Sequence, residues 1–374
     1  MVQSDSPFTI PYDMPTASAE ETMTRRTRRE FLGQATVAGA AALVAGRLPP
    51  PAASQTATPS PWASRIGLEL YTVRDLLAKD YEGTLAKVAA IGYTEVEPTS
   101  YNNLSPTDFR ALLDRHKLSM PSTHAAARGT GADLEKQLEG FQVMGIRYTE
   151  IVAIPPGAAG RGAEPARPDP RRPATIPPGG YYDAGSGRVR NSFKETEAFG
   201  PYQVPGSLDA AKRRAGQLNT DGKIAQKFGI KLLVHNHTVE FEKLTDSTRT
   251  LFDVLVEETD PALVTMQLDL GWTYIAGVDP LALFKAHPGR FELWHVKDVF
   301  GLKTVNPSLS PNARVSSMAL VPVGSGHIDF KPVFAQASLA GLKHFVIEQD
   351  NAAAWGDSLA AARVSCQGLK EMLG

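Results

Sequence analysis

From residue 62 to the C-terminus, short apolar runs alternate with longer stretches whose apolar positions recur every three to four residues. The short runs have the length and composition of buried strands, and the longer stretches have the period of amphipathic helices. Strands are expected at 65–72, 92–97, 118–124, 147–154, 230–236, 264–270, 291–296 and 344–348. Helical pattern runs up to Ile91 and then over 105–116, 133–144, 208–228, 247–258, 280–286, 330–337 and 355–373. Ser105 with Pro106 behind it is an N-cap followed by a first-turn proline. Eight alternations are the count of a (β/α)8 TIM barrel, here one domain over 62–374. An open doubly wound sheet rarely needs eight, and it usually carries a glycine-rich phosphate turn after its first strand. Tyr71-Thr72-Val73-Arg74-Asp75 stands at that place instead.

Two stretches break the pattern. Residues 155–206, after the fourth strand, hold 10 Pro, 9 Gly and 6 Arg, too much Pro and Gly for a packed element. They read as a lid, a partner-contacting arm or a structureless insertion, with Tyr181, Tyr182 and Phe193 able to pack. Without them and the first 61 residues, roughly 260 residues remain, close to the about 250 of a plain barrel. The other stretch is residues 1–61. Arg28-Arg29 precedes Phe31-Leu32 and an uncharged run of 16 residues to Gly46, which resembles a twin-arginine export signal. That run is too short for a membrane anchor. Ala45, Ala53 and Ala57 offer cleavage points ahead of or within the Pro-rich linker 47–61. Export machinery is therefore an expected partner, with the periplasm or the outside as destination.

Composition narrows the chemistry. Lys and Arg number 39 against 40 Asp and Glu, so no net charge points to nucleic acid or an anionic membrane. One cysteine, Cys366, excludes an intrachain disulfide and a zinc site built on cysteine pairs. Phosphate loops, zinc-protease helices and nucleophile elbows are missing from the sequence.

What the sequence does carry is chemistry at strand ends. The apolar run before Asp269, the run before Glu348 and Asp350, and Trp294-His295-Val296-Lys297-Asp298 each end in charge or imidazole. A fourth segment delivers His235, His237 and Glu240, with alternation aiming His235 and His237 at one face. Aspartate, histidine and glutamate on separate strand ends suit a divalent metal.

Five segments, 222–237, 268–272 (Leu-Asp-Leu-Gly-Trp), 294–298 (Trp-His-Val-Lys-Asp), 323–330 (Val-Gly-Ser-Gly-His-Ile-Asp-Phe) and 346–350 (Val-Ile-Glu-Gln-Asp), occur in one order. In this they resemble the sugar phosphate isomerase/epimerase family. That xylose isomerase-like group includes D-tagatose 3-epimerases, inosose dehydratases and endonuclease IV-type enzymes. The resemblance covers about 64–372 apart from the insertion.

It implies a divalent ion, manganese first, with magnesium, cobalt or zinc as alternatives. The family's ligands are Glu, Asp, His and Glu. Asp269, His295 and Glu348 match three of them. The first glutamate is replaced by His235, and Glu240 follows five residues later; Glu240 is favoured as ligand because it keeps the site hard, with His235 the alternative. The implied reaction is proton transfer beside a carbonyl of a sugar through a metal-stabilised enediolate, with Glu348 and Glu240 as catalytic carboxylates. Lys297 is expected to hold a substrate hydroxyl or oxyanion, or to pair with Asp298. His237, His124 and Glu97 are expected to line the sugar pocket or to make structural hydrogen bonds.

An isomerase or epimerase of a keto-sugar is thus the expected activity. A lyase or dehydratase on a keto-sugar or keto-glycoside is the first alternative, and a non-catalytic sugar-binding barrel the second. The DNA-repair branch needs three metals and many more His and Glu ligands, and 8 histidines in all together with an export signal speak against it. A homo-oligomer is compatible with all of this.

Overall fold

The structure is a computed structural model and describes residues 60–152, 180–183, 188–191 and 206–374. In chain order the strands are β1 (Gly67–Glu69), β2 (Glu95–Glu97), β3 (Ser122–Arg128), β4 (Tyr148–Val152), β5 (Gly180–Asp183) and β6 (Arg188–Asn191). They continue with β7 (Lys231–His235), β8 (Val264–Asp269), β9 (Leu293–Val296), β10 (Asp298–Phe300), β11 (Ala319–Val321) and β12 (His344–Ile347). Eight of them form one parallel sheet in the order β2-β1-β12-β9-β8-β7-β4-β3. Between its two outer strands, the Val96 amide donates to the Ser119 carbonyl at 2.9 Å and the Ser119 amide to Thr94 at 3.0 Å, just ahead of β3. Those bonds bring the sheet round into a nearly closed (β/α)8 barrel.

Local sequence explains the elements. Helix Pro106–Arg115 starts where Ser105 Oγ accepts from the Asp108 amide at 3.1 Å, with Pro106 in the first turn where no amide is needed. Thr250 and Asp253 cap each other reciprocally at the start of Leu251–Glu258. Helix Ser358–Leu373 buries Ala361, Ala362, Ser365, Cys366, Leu369 and Leu373, the three-to-four spacing of one apolar face. Every residue of β8 is buried, as parallel strands covered on both faces require.

Beneath the strand ends, Trp294 stacks on Phe284 with ring centroids 5.1 Å apart and planes 2° apart, and it meets Phe334 edge-on. Truncating so large a buried ring costs about 3–5 kcal/mol. Much of the stability therefore resides in this apolar packing below the strand ends.

Three features differ from the reading of the sequence. Inside the insertion that the sequence marks as too rich in Pro and Gly for a packed element, β5 and β6 pair as an antiparallel hairpin; the rest of 155–206, apart from Gly206, lies outside the described residues, as do the export signal and most of the linker. A helix, Leu270–Ala276, follows β8 without a loop, because Asp269 caps it: its Oδ1 accepts from the Trp272 amide at 2.9 Å. Finally, β10 and β11 add a small antiparallel pair above β9. Both extra elements crowd the rim where Asp269 and His295 stand. Among the described residues no helix is long and apolar enough to cross a membrane.

Candidate active site

The carboxyl ends of the strands bring Glu69 from β1, Glu97 from β2, His124 from β3, His235 from β7, Asp269 from β8, His295 from β9 and Glu348 after β12 to one rim. His295 is their hub. Its Nδ1 lies 2.7 Å from Glu348 Oε2, and its Nε2 lies 2.8 Å from Glu97 Oε1. Two carboxylates on one buried imidazole overcome the burial that opposes its charge, and its pKa is raised well above the usual histidine value.

Glu97 is the best-served carboxylate. Its Oε1 also lies 3.1 Å from His124 Nε2, and its Oε2 accepts from Ser122 Oγ and, at 2.7 Å, from Gln267 Nε2. Burial raises it, but His124, His295 and these hydrogen bonds outweigh that and hold it at about 2. Gln267 Oε1 completes the girdle, 2.8 Å from His124 Nε2 and 3.2 Å from His235 Nδ1. His235 has its own pKa lowered well below normal, by burial first and then by His295, His237 and His124. Burial and Lys297 push His237 down to about 3. Both are neutral imidazoles at neutral pH.

Lys297 is 1% exposed and stands among carboxylates, 2.7 Å from Asp350 Oδ2 and 3.1 Å from both Asp269 Oδ2 and Glu348 Oε2. Its ammonium also lies 4.6 Å from the centre of the Trp272 ring. Burial opposes its charge, but these carboxylates keep it protonated far above neutrality. Gly271 makes room for this arrangement, since a Cβ there would sit 2.8 Å from the Lys297 backbone oxygen. The pairing with Asp298 expected from sequence is not what forms. Adjacent strand residues face opposite ways, and Asp298 turns outward to accept from the amides of Gly324, Gly326 and Ile328. Lys297 is thus a buried counter-ion to the acidic cluster.

Asp269, His295 and Glu348 each offer a ligand atom, all within 4.8 Å of one another. The set fits a divalent ion. It comprises two carboxylates and an imidazole, and Asp269 Oδ2 is buried without a well-aligned hydrogen bond. Burial raises Asp269 to about 6 against the pull of Lys297 and His295. His235 Nε2 lies 4.0 Å from Asp269 Oδ2, beside the set. Glu240 belongs to none of the metal-sized groupings among the described residues. It sits in a 3-10 turn, Val239–Phe241, where its Oε2 accepts from the His237 amide at 2.7 Å. Burial raises its pKa.

A cavity of about 380 Å³ opens above the rim, lined by Glu348, His124, His235, His237, Glu240 and Glu69 among others. That is the size of a small-molecule site. Glu97 lies beneath it rather than on its wall, fully buried as the partner of His295.

Reading the sequence overlooked Glu69. It is 0% exposed, it is met by the Tyr71 backbone rather than by a well-aligned side chain, and burial and the neighbouring charges of Glu97 and Glu348 raise its pKa well above normal. Its signal was the one that singled out Asp269 and Glu348, a carboxylate ending an apolar run. Gln267 was overlooked too, as an uncharged residue inside such a run.

No protein-family model matches the chain. Among curated proteins, it is similar to the inosose dehydratase of Geobacillus thermodenitrificans, 30% identical over 161 residues, 42% of this chain and 53% of that protein. It is likewise similar to that of Salmonella typhimurium, 36% identical over 124 residues, 32% of this chain and 39% of that protein. The chain thus spans about half or less of the length of these relatives. A sugar phosphate isomerase/epimerase from Parabacteroides distasonis has the same fold, with TM-score 0.55 and 17% identity over 83% of this chain and 100% of that one. So does the probable 3-DHS dehydratase AsbF from Bacillus anthracis, with TM-score 0.50 and 12% identity over 82% of this chain and 98% of that one. The barrel fold that the resemblance read from sequence implied is borne out. These relatives and neighbours are enzymes of the isomerase, epimerase and dehydratase kind.

Proposed function

We propose that the protein is a metal-dependent isomerase or epimerase of a sugar or keto-sugar, working by proton transfer at a carbon beside a carbonyl. One observation carries this reading: a single cavity is lined by carboxyl groups pushed in opposite directions, next to a set of metal-type ligands. The Lys297 ammonium and the His295 imidazole outweigh burial and hold Glu348 well below the carboxylate range, so it is ionised and can accept a proton. Burial raises Glu240 above the usual carboxylate value, the direction that suits a group returning one. Carboxyls pushed apart in this way mark acid and base roles.

Asp269, His295 and Glu348 would hold the ion, with His235 the neighbour best placed to join them. A divalent ion there supplies positive charge to the oxygens flanking the carbon that loses its proton. Manganese or magnesium suits the carboxylates, and the imidazoles suit zinc or cobalt as well. His124 and His237 are positioned to meet hydroxyl groups. Lys297 keeps the acidic cluster neutralised rather than contacting the sugar. Export by the twin-arginine route remains part of the proposal, resting on Arg28 and Arg29.

The names of the sequence relatives favour a second reading. With a leaving group on the carbon next to the one deprotonated, the same base would eliminate it, as a dehydratase does. Incubation with keto-sugars in D₂O separates the two. An isomerase or epimerase yields an isomer carrying one deuterium at the reacting carbon. A lyase yields a product lighter by water or an alcohol. Neither exchange nor product across a keto-sugar panel would remove both readings in favour of a sugar-binding barrel.

A further inference from the structure

Beside the polar cavity lies a second one of about 480 Å³, and the two share Thr99, His124 and Arg128 in their walls. Where the first gathers carboxylates and imidazoles, the wall of the second includes Tyr101, Leu104, Ala126, Phe141 and Met144, with Gln137 and Lys136 among its polar members. Its aromatic wall is fixed. The Tyr101 ring packs edge-on against Phe109 at 5.3 Å and Phe141 at 5.8 Å, and its hydroxyl is 2.8 Å from Thr123 Oγ1. Leu104 stands at the rim, 37% exposed, on a turn set by Asn102 and Asn103 in the left-handed region (φ 50° and 56°). Asparagine tolerates that region better than other side chains, so the turn is built to present this leucine. Arg128 stands at the junction and Lys136 on the wall, both able to meet an oxygen or the face of a ring.

A ligand filling both cavities has two chemically different parts. A hydroxylated ring suits the carboxylates and imidazoles, and the continuation calls for an apolar group joined to it. An apolar cavity of about 150 Å³ accepts a benzene ring, so the second cavity has ample room for an aryl group. We propose that the cleft walled by Tyr101, Leu104, Phe141 and Met144 is an aglycone subsite, and that the substrate is a sugar carrying an aryl group rather than a free sugar. This rests on the sugar reading of the polar cavity and narrows its substrate class.

Calorimetric titration of the full chain with methyl β-D-glucopyranoside and phenyl β-D-glucopyranoside tests it. Burying one aryl ring should make the phenyl glycoside bind tenfold or more tightly than the methyl one. Ala126→Trp, which fills the cleft, should abolish that difference while leaving methyl glycoside binding unchanged. Leu104→Asp, at an exposed position that the fold does not need, should cut it at least threefold, so the test survives if the tryptophan variant fails to fold. Equal binding of the two glycosides, no binding of the phenyl glycoside, or a preference that survives Leu104→Asp would overturn the subsite. A phenyl preference that persists in a protein giving no exchange or product in D₂O would leave the subsite standing and remove the catalytic reading alone.

Discussion

On one arc of the barrel mouth, the ends of β8, β9 and β12 hold Asp269, His295 and Lys297 with Glu348 and Asp350 close behind. On the other, the ends of β1 and β2 hold Glu69 and Glu97. The two glutamates of the second arc are equally buried, each 0% exposed, yet their acidities part company. Glu97 is held at about 2, and Glu69 is raised well above the normal value. Burial raises both, so partners decide. Glu97 accepts from Ser122 and Gln267 and faces two imidazoles, whereas Glu69 is met by the Tyr71 backbone, accepts from no well-aligned side chain and lies 4.0 Å from His124 Nδ1. In the first arc partners do not decide alone: Lys297 and His295 hold Glu348 down, while burial still raises Asp269 and Asp350. One arc is already paired and suited to holding an ion. The other keeps a weakly partnered carboxyl facing the cavity.

The largest effect should come from removing the cation of the first arc. Lys297→Met leaves Asp269, Glu348 and Asp350 buried without their counter-charge, which costs about 3–5 kcal/mol. Urea unfolding at pH 7 measures it. A loss below about 1 kcal/mol would mean that the carboxylates are neutralised in another way.

Proton linkage comes next. An ion can bind only after His295 gives up its proton and Asp269 is ionised. His295 is raised well above the usual value and Asp269 sits at about 6, so both hold protons that the ion must displace, and affinity should rise with pH. Between pH 5.5 and 7.5 a gain of roughly tenfold or more is expected in titrations with Mn²⁺. For folding alone the sign of Asp269 is opposite to that of a salt-bridged aspartate. Its folded pKa exceeds its unfolded one, so its contribution is fully present below about 4 and is lost as pH rises through about 6. A flat or falling metal affinity over that range would contradict the proton assignments.

The smallest effect sharpens the contrast between the two glutamates. Glu97→Gln should lower stability by about 1–3 kcal/mol, because His295 and His124 lose the carboxylate they share. Glu69→Gln should change the melting temperature little, since the amide oxygen can still accept from the Tyr71 backbone and no well-aligned side-chain bond is lost. Equal losses in both would show that burial, not pairing, sets the difference.

The eight alternations and the carboxyl-end location of the site were legible because parallel strands buried on both faces write long apolar runs, and a charge ending such a run is conspicuous. That gave Asp269, His295 and Glu348, which the structure brings together. Three things were not legible. The partner of Lys297 depends on which way a side chain leaves its strand, and adjacency to Asp298 in sequence misled. Glu240 lies past the strand in a short turn, where no periodicity fixes its direction, and the structure turns its carboxylate to the His237 amide. Glu69 ends a strand of three residues, too short for its run to stand out.

The central claim, that β8, β9 and β12 hold an ion at their ends, is tested most directly by metal analysis of the protein purified without chelators. The wild type should carry about one divalent ion per chain. Asp269→Asn and Glu348→Gln should each carry almost none while melting cooperatively. His235→Ala should lower the occupancy, and Glu240→Gln should leave it unchanged. A wild type without metal, or Asp269 and Glu348 variants that keep theirs, would contradict the account.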